Sequence, residues 1–501
     1  MAICLSREIM GKYRNLAINV ALFTANAVAT KLISFFLVPL YTYYMSAGEY
    51  GITDMSLTVI YLVMPLATLD IAESAVRFMV GDRGSRGEYA AVAFIITVLS
   101  VVLVACLTPL LDFGVFGGLG EYKGLFVIAY ATSAFMSMCG EVSRGLDEVK
   151  LIPICAVASS LVTLISAGIF IGVMRMGVTG YFISASAGPA VAVIIYLFLG
   201  GIGKIACEGM RKILSSNKEH TRELIHSMLR YSLPLIPNSL FWWLGSGINR
   251  LFITGMLGIS ASGLFAAASK IPSLLNSAYS VFQQAWQLSA FQESKKEGIS
   301  RFFSMVFAVI QAGMTGVCAI LAFIAPWLAT LLLQGETFQA WPMIGILLIS
   351  NLFNVFATFY GTVYSTTMHT TYIMKTTVFG AISCIVLTPA LIPIIGTYGA
   401  CIASAVGQAL VFVMRALDSR RYLRFDVGWK YLIPTVVVLI IQSVLPVMSF
   451  HYWQIVSLIC VVLVLMIQFM RIRKMIINIG GMSRLLKGKK GFHGYNRDRW
   501  L

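Results

Sequence analysis

Residues 246–258 read SGINRLFITGMLG. A single charge, Arg250, sits in apolar sequence, and the segment continues an apolar stretch over 231–254. An arginine at the centre of a membrane helix costs roughly 2.5–3.5 kcal/mol on insertion scales, so such residues usually hold something. Composition decides whether this is a membrane helix. The 501 residues are 58% hydrophobic and only 12% charged, whereas soluble domains carry about 25% charged residues.

A membrane span needs roughly 20 apolar residues. Such stretches fall at 16–40, 51–73, 89–110, 124–140, 151–173, 179–199, 231–254, 260–290, 302–325, 341–366, 376–395, 398–414, 431–448 and 453–470. The expected fold is an all-α polytopic membrane protein with about fourteen transmembrane helices. Of the 37 Lys and Arg, 32 lie in alternate loops on the side of the N-terminus. The opposite loops hold only Lys123 and Arg175, and Lys31, Arg250 and Lys270 fall inside expected spans. Positive residues stay cytoplasmic, which places both termini inside. The +16 net charge is then mostly topological, and the basic tail MSRLLKGKKGFHGYNRDRW fits anionic lipid better than nucleic acid.

The N-terminal MAICLSREIMGKYRN lacks a cleavable signal pattern, so the apolar run after it is kept as the first span. Nine scattered cysteines without a CxxC pair indicate packing rather than disulfides or a metal site. GGIGK at 200–204 fails the phosphate-loop spacing, since Ile205 follows the lysine. The five histidines form no catalytic motif, and the longest polar segment, about 200–230, leaves no room for a soluble catalytic domain. No enzyme activity and no cofactor is expected.

SAGEYGITDMS (46–56) and SASGLFAAAS (260–269) resemble one another at the outer turns into spans 2 and 8. Six spans separate them, so the two units keep the same orientation as parallel repeats. The expected plan is a six-helix lobe over 1–200, a cytoplasmic linker over 201–230, a second six-helix lobe over 231–418, and two extra helices with a basic tail over 419–501.

Polar residues within the spans form stripes. Span 8 carries Lys270, Ser273, Ser277, Ser280, Gln284 and Gln287 at steps of three and four, which is one helix face. Span 1 carries Asn15, Asn19, Asn26, Thr30 and Lys31; span 7 carries Asn238, Trp242, Ser246, Asn249 and Arg250; span 10 carries Asn351, Asn354, Thr358 and Thr362. Such stripes either bond neighbouring helices or line a water-filled cavity, and ionisable residues on three of the four favour the cavity. Lys270 lies about ten residues into its span, roughly 15 Å deep. Few acids share that depth, so an anion is expected there, and arginine suits phosphate through its planar fork. Outward snorkelling is the alternative for Arg250. Asp70, Glu73 and Arg77 share one face of LDIAESAVRF (69–78) at the cytoplasmic end of span 2, either as a structural ion-pair gate or as a coupling site. Glu141, Arg144 and Asp147 read as a solvated turn.

With GEYGITDMS, LDIAESAVRF, RGLDEVK (144–150), YSLPLIPNSLFWWLGSGINR (231–250) and SGLFAAASKIPSLL (262–275) in place, the layout resembles the multidrug/oligosaccharidyl-lipid/polysaccharide exporter superfamily, and within it the Wzx-like polysaccharide biosynthesis flippases. The family often has Asp-Arg where this chain has Asn249-Arg250, which leaves the Arg250 charge freer for substrate. The resemblance implies an undecaprenyl-pyrophosphate-linked oligosaccharide moved across the bacterial cytoplasmic membrane for O-antigen, capsule or exopolysaccharide synthesis. Polysaccharide polymerase and glycosyltransferases are the implied partners, beside membrane lipid. Arg250, Lys270 and Lys31 would hold the pyrophosphate. Asn26, Asn238, Trp242, Ser246, Asn249, Ser273, Ser277, Asn351 and Asn354 would line the cavity. Asp70, Glu73 and Arg77 would couple transport to a proton or sodium ion or form a gate. The rival functions are a cation-coupled multidrug exporter and, further off, a membrane polysaccharide polymerase.

Overall fold

A computed structural model describes residue 33 and residues 35–293, 298–367, 371–448 and 450–492. These form α1 (35–44), α2 (Ala47–Thr68), α3 (Ile71–Gly81), α4 (Arg86–Leu107), α5 (Lys123–Gly145), α6 (Leu151–Ala167), α7 (Gly177–Phe198), α8 (Ile202–Ser215), α9 (Lys218–Ser232), α10 (Ile236–Leu257) and α11 (Ile259–Glu293). There follow α12 (Ile299–Leu332), α13 (Met343–Thr366), α14 (Thr371–Ile395), α15 (Thr397–Asp418), α16 (Trp429–Val447) and α17 (Trp453–Phe492), with no strand among the described residues.

Eleven described helices are long and apolar enough to cross a membrane. They coincide with eleven of the fourteen expected spans. Helices α10 and α11 occupy the stretches at 231–254 and 260–290 but carry the polar stripes and fall outside those eleven. Most of the first stretch, 16–40, lies outside the described residues. Large apolar side chains such as Phe198 (80% exposed) and Ile394 (76%) stand out along the helices. Lipid covers such a surface in a multi-pass membrane protein, where helices satisfy every backbone polar group internally.

The helices segregate into two compact units. The first comprises the described residues up to Lys270 with Ala329–Ala340 and Ala381–Ala400. Its α2 opens on a capping box: Ser46 Oγ accepts from the Glu49 backbone N–H at 3.2 Å, and Glu49 accepts from the Ser46 N–H at 2.8 Å. Two of the four orphan donors at the helix start are thereby satisfied. The two similar segments noted in the sequence lie against one another in this unit. A Cβ on Gly51 would stand 2.3 Å from the Ile259 carbonyl, and one on Gly263 would stand 1.9 Å from the Ala47 carbonyl. Glycine in both motifs thus brings α2 and the start of α11 into backbone contact.

The expected span over 51–73 is corrected: α2 ends at Thr68 and α3 begins at Ile71. Leu69 and Asp70 between them are left-handed, with φ of 56° and 48°, a conformation that breaks a helix and is uncommon outside glycine. The polar segment over 201–230 forms two helices, α8 and α9. Two hydrophobic clusters fill the unit. One joins Met55, Val59, Phe126, Tyr130 and Phe182; the other joins Ile71, Met79, Cys139, Tyr196 and Met228.

The second unit comprises Ile271–Leu328, Trp341–Gly380 and the described residues from Cys401. Its core is aromatic. Trp286 stacks on Phe359 with ring centroids 4.9 Å apart, and Phe307 packs on Phe356, Phe359 and Tyr360 at 5.1–5.7 Å. These distances are the favourable range for ring pairs.

Candidate functional site

The site lies in the first unit, where α2, α10 and the start of α11 meet. Asp54 of α2 is buried at 6% exposure. Its Oδ2 accepts from Arg250 Nε on α10, and its Oδ1 lies 3.6 Å from Lys270 Nζ on α11. One carboxylate thus faces two cations. Arg250 also stacks over the Phe265 ring at 5.9 Å. An unpaired charge in this environment would be costly, and a paired one survives because its partners replace water.

The frame around this cluster is hydrogen-bonded. Thr58, one turn after Asp54, donates to the Asp54 carbonyl at 2.9 Å. The Thr58 carbonyl accepts from the indole N–H of Trp243 at 2.8 Å, which locks α10 to α2. Asp54, Thr58, Tyr61, Ser239, Trp243, Arg250 and Lys270 line a cavity of about 520 Å³. Arg250 therefore faces a cavity and does not merely snorkel. The expectation that Asn249 leaves the Arg250 charge freer is corrected: its acid comes from α2, 196 residues away in sequence, and not from position 249.

A second cavity, of about 260 Å³, shares Tyr61 and Ser239 with the first and is lined by the carboxylates Asp70, Glu73 and Glu141. Asp70 caps the break between α2 and α3, and its Oδ2 accepts from Ser239 at 3.1 Å. It lies beyond the end of the α2 span. Burial pushes its carboxyl above the ordinary range; the Ser239 hydrogen bond opposes this and the nearby Glu73 adds to it. Glu141 and Arg144 lie in the last turns of α5 and pair at 2.8 Å, whereas Asp147 stands in the exposed turn that follows, as expected, and pairs with Arg86 at 2.8 Å. Among the described residues no ion pair joins Glu73 to Arg77. Both are exposed, where such a pair gains little.

The remaining expected site residues are dispersed. Asn249 is 3% exposed and accepts from Thr388 Oγ1 at 2.7 Å. Asn238 and Ser273 are exposed, and Ser277 donates to the Ser273 carbonyl at 3.1 Å. In the second unit Asn351 accepts from Asn276, and Asn354 donates to Gln408 at 3.3 Å. Those two asparagines therefore bond neighbouring helices. Trp242 and Ser246 belong to α10, but their side chains lie outside the described residues, as do Lys31 and Asn26 altogether.

Two buried cations were counted with the loops in the sequence. Arg415 sits inside α15 at 7% exposure, and Arg471 sits inside α17 at 5%. Arg415 donates to Thr376 Oγ1 (3.0 Å), the Ala357 carbonyl (2.8 Å), the Ile373 carbonyl (3.3 Å) and Thr377 Oγ1 (3.1 Å). A helix that runs past its expected end at 414 is the signal that would have found it.

The helical architecture of this multi-pass membrane protein is one that solved structures share. The chain is similar to the lipid II flippase MurJ in an inward closed conformation, at 11% identity and a TM-score of 0.67, over 91% of this chain and 100% of that one. It is also similar to an inward-facing multidrug resistance MATE family transporter of the MOP superfamily (15% identity, TM-score 0.62, 79% and 97% covered). A MOP superfamily transporter from Pyrococcus furiosus, described as having a binding pocket of reverse polarity, matches at 15% identity and a TM-score of 0.56, with 80% and 95% covered. No curated protein matches by sequence. Residues 16–287, more than half of the chain, match the family described as polysaccharide biosynthesis protein. The chain belongs to that family.

Proposed function

We propose that this protein is a flippase that carries an undecaprenyl-pyrophosphate-linked oligosaccharide across the cytoplasmic membrane for surface polysaccharide synthesis. The observation that carries this reading is the cavity in which Arg250 and Lys270 share one carboxylate, Asp54, leaving an excess of one positive charge among the described lining residues. A pyrophosphate entering it gains two cationic partners without having to displace two acids. Because Asp54 already engages both cations, the anion competes with an internal carboxylate. That competition limits affinity and permits release after translocation. Lys31 is proposed as a third cation. The family match and the likeness to a lipid II flippase support the substrate class.

A second reading, a cation-coupled multidrug exporter, is favoured only by the acidic cavity of Asp70, Glu73 and Glu141. In the flippase reading those carboxylates bind the coupling proton or sodium ion. The basic cavity argues against a cationic drug, and pocket polarity is the feature named for the transporter from Pyrococcus furiosus.

Proteoliposomes with purified protein decide between the two. Translocation of a fluorescent undecaprenyl-pyrophosphate glycan is expected for the native chain, and a loss of tenfold or more for Lys270→Gln (about 1.4 kcal/mol per factor of ten). Transport of a cationic dye with no glycan translocation would overturn the proposal.

A further inference from the structure

The second unit carries a cavity remote in sequence from the site above. Helices α16 and α17 pack as an antiparallel pair. Three inward bonds fix their register. Gln442 donates to Ser457 Oγ at 2.9 Å, Gln468 donates to Thr435 Oγ1 at 2.9 Å, and Arg471 donates to the Val427 carbonyl at 3.0 Å. The last bond closes the pair at the end where α16 begins. Gly428 there has φ of 69°, and a Cβ on it would lie 2.5 Å from the Arg471 guanidinium carbon. Only glycine lets the arginine pass beneath the turn.

Outside this closed seam a cavity of about 520 Å³ opens between the two helices. Its wall is divided. Lys430, Arg473 and Lys474 supply three cations, Pro434, Ile467 and Met470 supply apolar surface, and there is no acid among the described lining residues. The three cations are exposed, unlike Arg471 beside them. The cavity lies at the end of the apolar stretch Trp453–Met475, which is the level of lipid headgroups in a bilayer. It carries the side of the chain that the charge bias reads as cytoplasmic, where anionic lipids gather.

We propose that α16 and α17 hold an anionic phospholipid, with its phosphate against Lys430, Arg473 and Lys474 and an acyl chain along Pro434, Ile467 and Met470. Charge complementarity selects an anion. The apolar wall directly beneath the cations selects one that carries a hydrocarbon chain. A zwitterionic lipid offers the chain but cancels the charge, and a free phosphate offers the charge without the chain. The bound lipid would fix the outer face of the helix pair as the inward bonds fix its inner face.

The test is native mass spectrometry of the full-length protein, delipidated in neutral detergent and titrated with phosphatidylglycerol or phosphatidylcholine. One variant is Lys430→Gln/Arg473→Gln/Lys474→Gln. The control, Lys204→Gln/Arg211→Gln/Lys212→Gln, removes equal charge from exposed residues of α8. A cation near an anionic headgroup strengthens binding roughly fivefold, so the variant is expected to hold phosphatidylglycerol at least about tenfold more weakly. The native chain and the control should retain it alike, and phosphatidylcholine should bind all three equally weakly. Equal retention by the variant, equal loss in the control, or equal affinity for the two lipids would each overturn the proposal. Displacement by millimolar glycerol 1-phosphate would also overturn it, since the apolar wall would then contribute nothing. If the triple variant is not monodisperse on size exclusion, Lys430→Gln/Lys474→Gln decides the question in the same assay.

Discussion

Arg250 and Arg415 are both arginines within helices, and they have opposite surroundings. Arg250 shares a buried carboxylate with a lysine and faces a cavity. Arg415 lies at 7% exposure against two threonine hydroxyls and two backbone carbonyls, all neutral. The second arrangement spends the guanidinium on holding three helices, α13, α14 and α15, together. The first keeps charge at a surface that a solute can reach. A membrane arginine is therefore not functional by position alone. What distinguishes the two is an acid partner together with access to a cavity.

Arg250→Ala should abolish translocation and also destabilise the protein, by less than the roughly 3–5 kcal/mol of a fully stranded buried charge, because Asp54 loses the closer of its two cations and keeps only Lys270, 3.6 Å away. Thermal unfolding in detergent measures the second effect. The double variant Asp54→Asn/Arg250→Gln leaves only Lys270, whose side chain is 35% exposed, without the Asp54 charge, so it should recover most of the stability and none of the translocation. Recovery of translocation as well would show that the pair is structural, and the distinction from Arg415 would fail. Lys270→Gln comes next. Its contact with Asp54 is longer, at 3.6 Å, and its side chain is 35% exposed. Translocation should fall tenfold or more (about 1.4 kcal/mol per factor of ten) with little change in unfolding temperature. Arg415→Met should do the reverse. It strands neutral acceptors only, so about 1–3 kcal/mol of stability is lost, while translocation per folded molecule stays at the native rate. A rate loss in Arg415→Met comparable to that of Lys270→Gln would erase the contrast.

The span plan was legible because twenty-residue apolar runs have few other uses. Eleven helices coincide with it, and the stripe logic led to Arg250 and Lys270. Asp54 was missed although it stands in GEYGITDMS. Nothing local marks a partner 196 residues away, and a search for acids beside Arg250 stops at Asn249. The break at Leu69–Asp70 was missed because neither residue is a glycine or proline, so the apolar pattern runs through it unmarked. Arg415 and Arg471 were assigned to loops because hydropathy ends a span where the first cation appears, whereas these helices continue and bury theirs. The asparagines of α13 show the limit of periodicity: it reports which residues share a face, but not whether that face meets a cavity or, as with Asn351 and Asn276, another amide.

The acidic cavity presents the opposite sign of charge. Asp70 has no cationic ion-pair partner among the described residues; its bond is to a hydroxyl, Ser239, and the charge that acts on it is another acid, Glu73. Burial therefore dominates and raises its pKa above the unfolded value of about 3.9. A carboxyl raised in this way binds more protons folded than unfolded. Stability must then fall as pH rises from about 3.9 toward the raised value and level off beyond it. Asp70→Asn fixes the neutral form and should remove that slope from the unfolding temperature measured across acidic pH. If Asp70 also carries the coupling proton, the same variant should flatten the pH dependence of glycan translocation in proteoliposomes. A variant that loses the stability slope but keeps the native pH profile of transport would confine Asp70 to the helix break and leave coupling to Glu73 or Glu141.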